Sequence, residues 1–417
     1  MATYTKDDLL AMSVHTLRVV LRTDFKGVPG VLNKNELIDK ILSIQSGEKP
    51  PVRSTKGRKP LDEFLTPADL ELRFEDFESD DSEVPTSVCG VLELHAEGYG
   101  FIRRGGLKIS RSDAFVSKAL VKKYSLKCGD LVAGECAQMR DSGVVTLRTI
   151  TSVNGSSDFD SKRVDIASLR AGYPTQKYDL SADESQPLGL VDKFSPLGKG
   201  QRCVVLDQTF HSKATFIQDL ATALVKNGAQ VDLLSVCEKP EDATDFLQID
   251  GCQVVEITPD SQPQFVVRRV ALAVESAKRQ LELGKNPVLI ISNLNAVISA
   301  YGDYLSNEKA DKGFIEEGMT ARNFAIKCLN CAGNYGDKWH LTVISVLNGY
   351  SHREYSEFIS VATSVVDIIE GEVKNGYSVN AFNSYTLRDE KLLTEEQLKA
   401  AAEYKAKLSQ ENSEDFW

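Results

Sequence analysis

The chain has 417 residues, 42% of them hydrophobic, and a formal net charge of −11. That length supports two or three domains with at least one large core, and the acidic balance excludes a surface coated wholesale with nucleic acid while leaving a local basic face open. No apolar run reaches the roughly 18 residues of a spanning helix, so no membrane partner is expected. The polar start, Met1-Ala2-Thr3-Tyr4-Thr5-Lys6-Asp7-Asp8, is unlike a signal peptide. Eight cysteines lie scattered, several within apolar strand-like runs. That suits reduced core thiols in a cytoplasmic protein better than a disulfide framework. Cys328-Leu329-Asn330-Cys331 is the only C-x-x-C, and without a second pair no zinc or other metal site is expected.

Residues 1–45 read as a small helical N-terminal unit. Thr5-x-x-Asp8 and Asn33-x-x-Glu36 are capping-box patterns, and Leu9, Leu10, Val14, Leu17, Val20 and Leu21 recur at helical spacing. Residues 46–87 pass from a basic half (Arg53, Lys56, Arg58, Lys59) to an acidic one (Glu75, Asp76, Glu78, Asp80, Asp81), which reads as a charged, disordered linker. From 88 to 155, short β-type runs with glycine turns fit a small Greek-key barrel of the OB or cold-shock type. In Gly98-Tyr99-Gly100-Phe101-Ile102-Arg103, strand alternation puts Tyr99, Phe101 and Arg103 on one face. Two exposed rings beside an arginine make a platform for stacked bases with a phosphate contact. Phe115, Lys122 and Lys123 complete the candidate RNA contacts. This stretch holds ten Lys/Arg against six Asp/Glu, a net positive barrel in an acidic protein.

Residues 156–188 form a polar connector. Across 189–417, strand-like runs (203–206, 230–235, 253–257, 288–292 and 341–347) alternate with helix-like runs (214–225 and 264–283), implying a parallel sheet with helices on both faces. Residues 394–408 read as a capped final helix. The run Cys203-Val204-Val205-Leu206-Asp207-Gln208-Thr209-Phe210-His211-Ser212-Lys213-Ala214-Thr215 has the strand–loop–helix order of a phosphate-binding P-loop. A working loop is G-x-x-x-x-G-K-[ST], in which glycines let backbone N–H groups close around phosphates and the last hydroxyl holds Mg²⁺. Here Asp207 and Ser212 replace the glycines and Ala214 replaces the hydroxyl. Lys213 and Thr215 remain as nucleotide-binding candidates, and His211 reads as an exposed loop histidine.

The order of parts is a helical unit, a barrel with Gly-Tyr-Gly-Phe-Ile-Arg, a connector, then Ser195-Pro196-Leu197-Gly198-Lys199-Gly200-Gln201-Arg202 entering the P-loop position. It resembles the bacterial transcription termination factor Rho family. The runs Asp113-Ala114-Phe115-Val116-Ser117 and Tyr124-Ser125-Leu126-Lys127-Cys128-Gly129-Asp130 are also similar to the family pattern. The resemblance implies a ring-forming, RNA-dependent ATPase and helicase that loads on RNA through the barrel and pulls it through a RecA-like ring. It implies ATP and Mg²⁺ as cofactors, and single-stranded RNA and the RNA polymerase machinery as partners.

Residue by residue, Lys213 matches the phosphate-binding lysine. Glu238, in Glu238-Lys239-Pro240-Glu241, matches the glutamate that polarises the attacking water, and is the catalytic candidate. The acid before it is replaced by Cys237, and the second metal-handling strand carries Ser292 where the family has aspartate. Asn375 stands at the arginine-finger position. The RNA-gripping loop is short at 348–355, and the glycine-rich pore loop is not recognisable in Lys312-Gly313-Phe314-Ile315-Glu316-Glu317-Gly318. Mg²⁺ coordination needs a hydroxyl and a carboxylate, and both positions are substituted.

The sequence therefore predicts a multidomain chain: a helical N-terminal unit, an OB-type barrel and a C-terminal α/β RecA-like P-loop domain. Its expected function is RNA binding in transcription termination or its regulation, with ATP hydrolysis lost or weak. It would form a homo-oligomeric ring or co-assemble with an active Rho. Two alternatives stay open: an active terminator with a diverged site, and a scaffold on which neither RNA nor ATP acts.

Overall fold

A computed structural model describes residues 4–25, 33–46, 86–138, 144–159, 163–181, 186–209, 211–307, 310–315, 318–336, 338–349, 353–371 and 376–414. Most of the expected 46–87 linker, and Asn375, lie outside the described residues. Helices α1 (Lys6–Ala11), α2 (Val14–Thr23) and α3 (Lys34–Gln45) bury Leu9, Leu17, Leu21, Phe25, Leu37 and Ile41 in one small core. Thr5 and Asp8 form the capping box at α1, satisfying two end N–H groups reciprocally.

The barrel comprises β1 (Ser87–Leu94), β2 (Gly100–Arg103), β3 (Ala114–Val116), α4 (Lys118–Lys123), β4 (Leu131–Gln138) and β5 (Val145–Val153). Its strands close in the order β1-β2-β3-β5-β4, with β3 and β5 parallel and the other pairs antiparallel. A closed five-stranded barrel of this kind is the OB type. Two register shifts between β4 and β5 bend the ladder toward closure. Leu92, Ile102, Ala114, Val116, Val132 and Leu147 fill the interior, so Glu93, Phe101, Arg103 and Phe115, one position along, face outward.

The C-terminal domain runs α5 (Pro187–Phe194), β6 (Arg202–Asp207), α6 (Lys213–Lys226), β7 (Gln230–Val236), α7 (Pro240–Leu247), β8 (Cys252–Ile257), α8 (Pro263–Glu282), β9 (Pro287–Ile291), α9 (Leu294–Ser306), α10 (Ala321–Asn330), β10 (Gly333–Asn334), β11 (His340–Asn348), α11 (Ser356–Val361), β12 (Ser364–Glu370), β13 (Tyr377–Val379), β14 (Tyr385–Thr386) and α12 (Glu395–Glu414). The sheet order is β13-β12-β6-β11-β9-β7-β8, parallel from β12 to β8. Helices cover both faces and give two cores, which is why β9 is apolar throughout and nearly all of β11 is buried on both sides. The strand β12 interrupts that pattern with a fully buried Asp367, held by Gln208, Asn380 and Asn383. This RecA-like sheet places the C-terminal ends of β6, β7 and β9 together, where parallel sheets present ligands.

The barrel sits on α8. Arg269 donates to the Gly106 carbonyl at 2.7 Å, and Lys127 pairs with Glu282 at 3.1 Å. Gly129 has φ +88°, and a Cβ there would lie 2.4 Å from the Glu275 backbone. Gly129→Ala should therefore destabilise the barrel by about 1–3 kcal/mol, read as a lower urea midpoint for its unfolding. An unchanged midpoint would mean that this approach is not required.

Candidate nucleic-acid face and P-loop position

The outward face of β2 and β3 is not open. Tyr99, Phe101 and Phe115 are 5%, 6% and 0% exposed, clustered with Val144 and with Phe314 of the C-terminal domain. The expectation of exposed rings is corrected here. Alternation does keep them out of the barrel core, but a second domain covers the face they occupy. Tyr99 stacks on His95 at 4.6 Å, and His95 meets Phe314 edge-on at 4.9 Å.

Arg103, expected as a phosphate contact, is likewise consumed. It donates to Glu93 at 2.7 Å and to Asp113 at 2.7 Å, and is 3% exposed. Arg268 of α8 donates to both Glu93 oxygens at 2.8 Å. Burial alone would push the Glu93 carboxyl up, but Arg268 and Arg103 bring it down to about 2. Its stabilising share is therefore present above the ordinary carboxylate range and lost only as pH falls through about 2. Lys122 and Lys123 are exposed at the end of α4, a helix too short for its periodicity to be read from sequence.

At the P-loop position, β6 ends in Asp207 and α6 begins with Lys213. The Asp207 carboxylate accepts the Thr209 N–H at 3.0 Å and its hydroxyl at 2.7 Å. The Ser212 N–H donates to Thr209 Oγ1 at 3.3 Å, and the fully buried Ser212 hydroxyl donates to the Gly376 carbonyl at 2.8 Å. Burial raises the Asp207 carboxyl even though Thr209 and Lys213 favour its charge. Cys237, at φ +51°, turns the chain after β7 and delivers Glu238 beneath the loop. Lys213 donates to Glu238 at 2.7 Å, and the Ser292 hydroxyl donates to the same carboxylate at 2.7 Å while accepting the Val236 N–H. Thr215 lies on the exposed side of α6, in a cleft shared with His211, Asp242 and Asp245.

The model of the family described as Rho termination factor, RNA-binding domain, matches residues 88–158. Transcription termination factor Rho of Mycobacterium leprae is 30% identical over 292 residues, covering 67% of this chain and 46% of that protein. The Rho of Thermotoga maritima is 27% identical over 226 residues, 51% of each chain, and that of Borreliella burgdorferi is 26% identical over 332 residues, 76% of this chain and 64% of its own. The chain belongs to the Rho family. It spans about half the length of the first two of these curated relatives.

Within this Rho-family chain the Mg²⁺-handling positions of the pattern are substituted, and part of the loop's phosphate-binding capacity is taken up internally. A phosphate needs free backbone N–H groups and an available lysine. The Thr209 and Ser212 donors instead close on the loop's own side chains, and Lys213 is paired. Mg²⁺ needs oxygen ligands, yet position 214 is alanine and the Ser292 oxygen is engaged with Glu238 and Val236. Among the described residues no cluster of His, Cys, Asp and Glu could hold a metal. Sequence reasoning missed the ring on Phe314 and the charge on Arg268, because neither lies near the barrel in the chain.

The Lys213–Glu238 pair gives a direct test. Lys213→Met leaves a 6% exposed carboxylate without its cation and should cost roughly 3 kcal/mol in urea unfolding. The double change Lys213→Met with Glu238→Leu should recover most of that loss. A Lys213→Met protein as stable as the parent would show that the pair carries no structural weight.

Proposed function

We propose that this chain binds single-stranded RNA through its OB-type barrel, in transcription termination or its regulation, and does not hydrolyse ATP. The observation that carries the second half is the closed Lys213–Glu238–Ser292 network. The lysine that would meet phosphate and the carboxylate that would orient water satisfy each other. The Asp207 side chain holds loop donors that an incoming anion would need. The family match over 88–158 supports the first half, together with the net positive charge of the barrel. The α/β domain then serves assembly, either as a ring of this chain or in a mixed ring with a hydrolysing member of the family.

Fluorescence anisotropy with an oligopyrimidine RNA should show salt-dependent binding. Replacing Lys122 and Lys123 together with Ala should reduce the slope of log K against log salt by about 1.4, at roughly 0.7 for each phosphate no longer neutralised. Mg·ATP should leave the melting temperature and the phosphate release rate at baseline. A nucleotide bound at hundredfold excess over its Kd would add about 2.7 kcal/mol of stability. RNA-stimulated phosphate release would instead make the chain a working motor with an altered site.

A further inference from the structure

We propose that residues 311–315 are an internal occupant of the barrel's base-stacking face, so that this segment and single-stranded RNA compete for one surface. The inference rests on the RNA-binding reading above. Phe314 offers a planar ring to the cluster that would stack bases, 6.4 Å from Phe101 and 4.9 Å from His95. The Arg268 guanidinium lies over the same ring, 3.7 Å from its centroid. Three residues earlier, Asp311 places a carboxylate 3.2 Å from His95 Nε2. A ring and an anion so spaced present the two recognition elements of a nucleotide.

The backbone joins the mimicry, with the Ala96 N–H donating to the Gly313 carbonyl at 2.6 Å. Gly313 permits the approach, because a Cβ there would fall 1.7 Å from His95 Nε2.

The contact is built to be displaced. Phe314 is only partly buried and the Asp311 side chain is 49% exposed. Behind the turn lies a cavity of about 230 Å³ between barrel and α8, lined by Glu93, Cys128, Leu272, Phe314 and Phe324 among others, so the turn does not close a tightly packed core. Arg268 itself touches Phe314, but the domains are also joined away from the segment, by Arg268 with Glu93, Arg269 with the Gly106 carbonyl and Lys127 with Glu282. Removing the occupant therefore frees Tyr99, Phe101 and Phe115 without undocking the barrel.

The test uses the full chain and a labelled oligopyrimidine RNA at one salt concentration. Phe314→Ala deletes the ring, and Gly313→Val keeps the ring but drives the turn off His95. Each should bind RNA about tenfold more tightly than the parent if the occluded form makes up roughly nine-tenths of the population. Adding Phe101→Ala to Phe314→Ala should cancel the gain. RNA should also raise hydrogen exchange at the Ala96 amide of the parent. Asp311→Asn, at an exposed position, carries the test if the other variants fail to fold, and should tighten binding in the same direction. Parent binding that none of these variants changes would overturn the competition while leaving the RNA reading intact. Absence of RNA binding in parent and folded variants alike would overturn both.

Discussion

The Glu93 carboxylate is the joint on which the rest depends. It accepts from Arg103 within the barrel and from Arg268 on α8, and Arg103 reaches on to Asp113 beside β3. Charges withdrawn from water in this way are tolerable only because each is met at hydrogen-bonding distance. Once Arg268 is committed to Glu93, α8 is fixed across the outer face of β1 and β2. The turn at 311–315 lies against the aromatic face beside it. The buried aromatic face follows from this ionic constraint, since Phe314 packs under the same guanidinium that holds Glu93.

A similar self-sufficiency governs the P-loop position. Substituting the glycines and the hydroxyl removes ligand contacts, and the vacated interactions are remade internally. Asp207 takes loop donors, Ser212 bonds the Gly376 carbonyl, and Lys213 is neutralised by Glu238 with Ser292 in support. Each replacement is chemically consistent with its neighbours. Aspartate accepts where phosphate oxygens would accept, and serine at 292 donates to a carboxylate that an aspartate there would repel.

The two regions divide the Rho-family inheritance of the chain. The barrel is closed, with outward-facing rings and a basic helix end, whereas the RecA-like domain carries substitutions at the P-loop and metal-handling positions. That division is why the function proposed here is one of binding and assembly. The sheet brings the C-terminal ends of β6, β7 and β9 to one side, where Lys213, Glu238 and Ser292 are joined by a salt bridge and a hydrogen bond.

Much of this was legible in the sequence because it is local. Period-two alternation placed Ile102 inside the barrel and Phe101 and Arg103 outside. Continuous apolar runs marked the buried parallel strands, and the substituted loop could be counted against its pattern. The runs at β12 and α4 escaped, the first because Asp367 is satisfied by partners distant in the chain, the second because six residues carry too little periodicity. The exposure of Tyr99, Phe101 and Phe115 could not be read at all. Alternation says which side of a strand a ring is on, while burial depends on what else comes to lie there. Phe314 and Arg268 reach that face from more than 150 positions further along the sequence. Local residue order thus determined the elements and the damage to the P-loop, and tertiary packing alone decided that the aromatic face is covered, because only folding brings α8 and the 311–315 turn against the barrel.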